Sequence, residues 1–149
     1  PHAVGVNNHM GSLLTRHPGH MSWLMNEILR RQPMFFLDSR TTVATVARQV
    51  ALENGVPSID RNVFLDNELD EARIAFQFRR LLKLARKEGS ALAIGHPHPQ
   101  TLALLEREIP ALARQGVQLL SVRELIDLQQ QGENTWQASW SPSHRDAKN

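Results

Sequence analysis

A chain of 149 residues with 41% hydrophobic content is enough for one domain, or a large part of one, with a packed core. Its 17 basic and 15 acidic residues leave a net charge of +2, and its aromatic content is 5% with no tyrosine. Overall charge and base-stacking therefore make no case for nucleic acid, and the absence of cysteine excludes disulfides and any thiolate site.

No apolar stretch approaches the roughly 20 residues of a membrane span. No signal peptide opens the chain, and its first residue is Pro1, so it reads as a processed or trimmed piece. Residues 3–6 read as a short strand. Met21, Leu24, Met25 and Ile28 then recur at helical spacing behind the turn His17-Pro18-Gly19. Residues 34–37 form a second buried strand, between Pro33 and Asp38. Val43, Ala47, Val50 and Ala51 make the inner face of a second helix, with Thr41 or Thr42 as its cap and Gly55 as its close. Residues 56–59 and 63–65 are short extended runs.

A long helix is expected over residues 68–88, with the stripe Ile74, Phe78, Leu81, Leu82 and Ala85 and with Gly89 at its end. A strand at 91–94 follows, then a helix over 101–114 interrupted near Pro110. A last strand at 117–120 and a last helix at 122–128 complete the pattern. Strand–helix alternation predicts an α/β domain over residues 1–128, with a parallel sheet and right-handed crossovers. Residues 129–149 turn polar and are expected to be a disordered tail in which Trp136 and Trp140 dock only transiently.

Functional groups in parallel α/β sheets collect where strands end and loops lead into helices. Two such turns carry histidine: Val6-Asn7-Asn8-His9-Met10-Gly11-Ser12 and Ile94-Gly95-His96-Pro97-His98-Pro99. Imidazole suits metal ligation and proton transfer near neutrality, and Asn7 and Asn8 can bond a polar ligand or simply brace a turn. Asp38-Ser39-Arg40-Thr41-Thr42 sets a carboxylate beside hydroxyls and a guanidinium, a set suited to general-base, metal or anion chemistry or to an Asx turn and a cap. Asp66 ends another strand-like run, and it or Asn67 is the favoured N-cap of the long helix. His96 and His98 flank Pro97, and alternation on extended backbone would point them to opposite sides, against a shared metal. His17, His20 and His144 read as surface residues. No phosphate loop, nucleophile elbow or H-E-x-x-H pair is present.

Four blocks together resemble the divergent polysaccharide deacetylase family of bacteria: Gly5-Val6-Asn7-Asn8-His9-Met10-Gly11-Ser12, Phe36-Leu37-Asp38-Ser39, Val63-Phe64-Leu65-Asp66-Asn67 and Ala93-Ile94-Gly95-His96-Pro97-His98-Pro99. The resemblance implies a deformed (β/α) barrel of the polysaccharide deacetylase type, of which this chain is the C-terminal portion. It also implies an export signal in the parent chain and a place in the periplasm or cell envelope. Similar deacetylases use a divalent metal, usually zinc, held by an aspartate and two histidines, with an aspartate as base and a histidine protonating the leaving amine.

Carried over, His9 is the metal ligand, and Asp38 and His96 are the catalytic candidates. Asn7, Asn8, Ser39, Arg40, Asp66 and His98 are the carbohydrate-binding candidates. The family's leading Asp-Asp pair and an earlier histidine loop are not among these residues, so the remaining ligands are expected upstream of Pro1 and the piece alone is expected to be inactive. The alternative is a non-catalytic envelope module that binds a glycan or a partner. A metal phosphoesterase is a third reading, which Arg40 and Arg61 support thinly for want of a basic phosphate cradle.

Overall fold

Residues 2–31 and 34–140 are described by a computed structural model, with the backbone alone for residues 133–140. β1 (Gly5–Asn7), β2 (Phe35–Asp38) and β3 (Ser58–Asp60) pair in parallel in that order, and β4 (Val63–Phe64) pairs in parallel with β5 (Ala93–Ile94). A single run of chain joins the two ladders. The Arg61 N–H still bonds the Asp38 carbonyl at 3.0 Å, whereas the next N–H, of Asn62, bonds the Leu92 carbonyl at 2.8 Å.

Neighbouring strands thus follow chain order, and each parallel step is made by a helix, as parallel pairing requires. α2 (Pro18–Arg31) leads from β1 to β2, α3 (Ala47–Glu53) from β2 to β3, and α4 (Glu71–Glu88) from β4 to β5. A short helix, α1 (Ser12–Thr15), precedes α2, and α5 (Pro99–Glu108) follows β5. This is the parallel α/β architecture the alternation predicts. Among the described residues no ladder joins β1 to β5, so the array is open.

The helical spacing read from sequence is what builds the core. Met21, Met25 and Ile28 of α2 meet Phe36 of β2 and Ala47, Val50 and Ala51 of α3. Ile74, Phe78 and Leu82, one face of α4, meet Val63, Leu65, Leu104 of α5 and Leu112. Gly5 is required where it stands, because the Phe35 ring occupies the space a Cβ would need. Gly55 (φ 77°) and Gly89 (φ 82°) follow α3 and α4 in the left-handed conformation that ends helices.

Several expected boundaries move, each because a side chain finds another partner. α3 begins at Ala47, and neither Thr41 nor Thr42 caps it. Residues 40–45 stay in a loop whose Thr45 hydroxyl bonds Asp38 at 2.7 Å, and Val43 is 94% exposed rather than part of the inner face. α4 is capped by Asp70, which accepts the Arg73 N–H at 2.9 Å, and not by Asp66 or Asn67. After α5 the chain continues as two short 3-10 turns, Ile109–Ala111 and Ala113–Gln115, since Pro110 has no N–H to extend the helix. Residues 117–120 form no strand; the Val117 N–H instead closes onto the Leu112 carbonyl at 3.0 Å.

From Leu120 the described residues form a second compact unit, made by α6 (Val122–Trp140). Residues 129–140 therefore continue a helix that was expected to end near 128. The side chains of Trp136 and Trp140, residues 141–149 of the expected tail with His144, and Pro33 lie outside the described residues. No helix among the described residues is long and apolar enough to cross a membrane.

Candidate functional site

The carboxyl ends of the strands carry the polar residues. Asp66 lies two residues past β4 with its side chain wholly out of solvent. Its Oδ2 accepts the His96 N–H at 2.6 Å and the Thr101 hydroxyl at 2.8 Å, and its Oδ1 lies 3.0 Å from His96 Nδ1. Gly95 permits this closure, since a Cβ there would come within 3.2 Å of the carboxylate and 3.5 Å of Leu65. Burial pushes the Asp66 carboxyl upward. The bonds from the His96 N–H, the Thr101 hydroxyl and the His96 ring together outweigh that and hold it below the usual range. An ionised carboxylate can only accept, so it fixes the proton on His96 Nδ1 and leaves Nε2 to face the site.

His98 joins this pair: ligand atoms of Asp66, His96 and His98 all lie within 4.8 Å of one another, and the two imidazole rings are 5.4 Å apart. The expectation that His96 and His98 point apart is corrected. β5 ends at Ile94, so the alternation of a strand no longer governs the Pro97 turn. His9, on the loop after β1, sets its ring edge-on to His96 at 5.9 Å. Three interstrand spacings, roughly 14 Å, would separate the first and last strands of a flat sheet.

Phe64 tilts against His96 at 5.4 Å, and the Arg61 guanidinium carbon stands 5.1 Å over the Phe64 ring. Arg61 Nε donates to the Ser39 carbonyl and Nη2 to the Arg40 carbonyl at 2.9 Å, which ties the loop after β2 to the β4 side. Asn8 accepts the Ser39 N–H at 2.8 Å and donates to the Met10 carbonyl, while Asn7 donates to the Ser39 hydroxyl at 3.2 Å. Met10 (φ 59°) and Arg40 (φ 47°) both hold left-handed backbone in these loops, a conformation that costs non-glycine residues about 1–2 kcal/mol.

Asp38 is fully buried and, among the described residues, makes no hydrogen bond to the imidazoles. Its Oδ1 accepts the Arg40 N–H and its Oδ2 the Thr45 hydroxyl, each at 2.7 Å. It lines a cleft of about 410 Å³ with Arg40, Thr45, Arg48, Glu53 and Asp60. There Arg40 pairs with Asp60 at 3.2 Å. Burial pushes the Asp60 carboxyl up, Arg48 and Arg40 pull it down, and the Asp38 charge adds to the rise.

The structure therefore gathers His9, Asp66, His96 and His98, places Asp38 and Arg40 on a cleft of their own, and uses Asn7, Asn8 and Ser39 to lace the loops after β1 and β2. Sequence reasoning missed Thr101, read only as first-turn helix, and the bracing role of Arg61. A carboxylate ending a buried run four residues short of the true cap was the available signal for the Asp66 cluster.

These donors fit part of a divalent metal site. Asp66, His96 and His98 present ligand atoms close enough to share one ion, but both Asp66 oxygens are already engaged by protein donors.

The model of the divergent polysaccharide deacetylase family matches residues 1–126. An uncharacterized protein of Haemophilus influenzae is 45% identical over 123 residues, which make up 83% of this chain and 43% of that protein. The uncharacterized protein YibQ of Escherichia coli is 47% identical over 109 residues, 73% of this chain and 34% of its own length. The crystal structure of an uncharacterized protein from Agrobacterium tumefaciens shares the fold, with a TM-score of 0.78 at 23% identity over 82% of this chain and 49% of that one. The chain spans less than half the length of each of these relatives.

Proposed function

This chain belongs to the divergent polysaccharide deacetylase family, and from that premise we propose that it forms one part of a metal-dependent hydrolase removing N-acetyl groups from an envelope sugar. The supporting observation is the pairing of the buried Asp66 carboxylate with the half-buried His96 ring, set beside His9 and His98 at the carboxyl ends of parallel strands. In this reading His96 is the general acid. Asp66 holds its Nδ1 proton and stabilises the imidazolium, and Nε2–H delivers a proton to the amine nitrogen as the amide C–N bond breaks. A divalent metal, when bound, supplies polarisation of the acetamide carbonyl and an activated water.

His9 and His98 are the imidazoles available to hold that metal, with the remaining ligands contributed by the rest of the protein. Asp38 has both oxygens occupied and acts by positioning Arg40 and the loop after β2. Arg40, Asn7, Asn8 and Ser39 border the sugar. The same proposal includes a deformed barrel, in which strands from elsewhere in the protein continue the open edges of β1 and β5. Family membership suggests an extracytoplasmic place of action, and the proposal assigns it to the periplasm.

One observation favours the alternative of a non-catalytic glycan-binding module: the Asp66 carboxylate at this rim already has protein donors on both oxygens. Acetate release from an N-acetylglucosamine oligomer by the complete protein, measured alongside its metal content, separates the two. The deacetylase reading expects release that His96→Ala lowers about 10²- to 10⁴-fold in kcat with KM little changed. A metal-loaded complete protein that binds the oligomer but releases no acetate would establish the binding module instead.

A further inference from the structure

The charge of this chain is distributed very unevenly. α4 carries Arg73, Arg79, Arg80, Lys83, Arg86 and Lys87 against Glu71 and Glu88, a net +4, where the whole chain carries +2. Ile74, Phe78 and Leu82 turn inward to the core, so the helical period puts these bases on the outer side, where all six are exposed. From Arg73 to Lys87 the row runs about 21 Å at 1.5 Å per residue.

Glu68 approaches Arg73 at 3.7 Å and Glu88 approaches Lys87 at 2.9 Å. Among the described residues no carboxylate comes within ion-pair distance of Arg79, Arg80 or Lys83 at the centre of the row. Between Arg73 and that centre stands Phe76, 53% exposed, with Arg73, Arg79 and Arg80 as its neighbours three and four positions away. Leu69, 51% exposed, lies just before the helix.

We propose that the outer face of α4 is a docking surface for a membrane of anionic phospholipid. The face's guanidinium and ammonium groups match phosphate headgroups, and an aromatic ring flanked by bases is the combination that seats at the headgroup–acyl boundary. A merely solvated charged face would account for the bases but not for the phenylalanine among them. The inference stands apart from the deacetylase reading, because no residue of the imidazole rim takes part. It describes peripheral binding, in keeping with the absence of a spanning helix among the described residues.

Co-sedimentation of the 149-residue chain with vesicles tests it. Vesicles of equal parts phosphatidylglycerol and phosphatidylcholine should retain the chain at low salt and release it as salt rises, and pure phosphatidylcholine should not retain it. Each central charge removed should weaken binding about fivefold, so R79Q/R80Q/K83Q together should lose about a hundredfold, and Phe76→Ala several-fold at unchanged charge. All four side chains are exposed, and unchanged circular dichroism and thermal midpoint confirm that the variants fold. Single Arg80→Gln provides the same reading with the smaller loss, should the triple variant unfold. Equal retention by neutral and anionic vesicles, or full retention of the triple variant, would overturn the proposal. Capture by a soluble acidic polysaccharide with no vesicle binding would overturn it too, and would assign the face to glycan.

Discussion

Asp66 accepts from three donors, two on His96 and one on Thr101, that lie 30 and 35 residues further along the chain. Asp66→Asn places an NH₂ where a donor already points, an arrangement that costs about 1–3 kcal/mol. Urea unfolding of the two proteins at neutral pH measures it, and coincident curves would show the network to be energetically idle. The pH dependence follows from the same bonds. The folded carboxyl lies below the ordinary 3.8, so its contribution is fully present above that pH and is lost as pH falls through the lowered folded value. The wild-type advantage should therefore persist at pH 7 and pH 5 and close only below about pH 3.8. Asp38 looks the more catalytic carboxylate in sequence, with its run of hydroxyls and Arg40 behind it. In the fold the Arg40 N–H and the more distant Thr45 hydroxyl occupy its two oxygens.

At the scale of elements, periodicity was legible and boundaries were not. The apolar stripes of α2 and α4 were read correctly because burial repeats every three to four residues regardless of what lies opposite. The start of α4 was misplaced because Asp66, Asn67 and Asp70 all offer a side-chain acceptor of the kind that caps a helix. Only the last makes the bond, since Asp66 is turned to His96. Asp70→Ala should lower stability by about 1 kcal/mol, whereas Asn67→Ala should stay within about 0.5 kcal/mol. Thermal unfolding of both variants checks the assignment, and equal losses would return the cap to a shared role. The loop over residues 40–46 escaped prediction for a related reason. The Asp38–Thr45 bond holds it out of the helix that its threonines and Val43 suggested.

Across the whole molecule, the parallel array brings the loops after β1 and β5 within 5.9 Å of each other at His9 and His96. The chain contributes imidazoles to that rim while its carboxylate there is spoken for. Added zinc should therefore stabilise the complete protein more than the 149-residue chain. A ligand at a hundred times its Kd adds about 2.7 kcal/mol, and a chelator should reverse the rise. Equal shifts in thermal midpoint for the two proteins would mean that the chain holds a sufficient donor set by itself.

The order of residues alone determined the class of fold, the helices that face the core, the polar turns that follow the strands and the family. All of these rest on local periodicity or on contiguous blocks of residues. Tertiary structure decided which carboxylate serves which partner: Asp66 to His96, Asp38 to the loop after β2, Asp70 to the cap of α4. It also brought His98 to the same side as His96. Such pairings depend on where each crossover returns the chain some 30 residues later, and a hydrogen bond within 3 Å is decided by that return and not by its sequence neighbours.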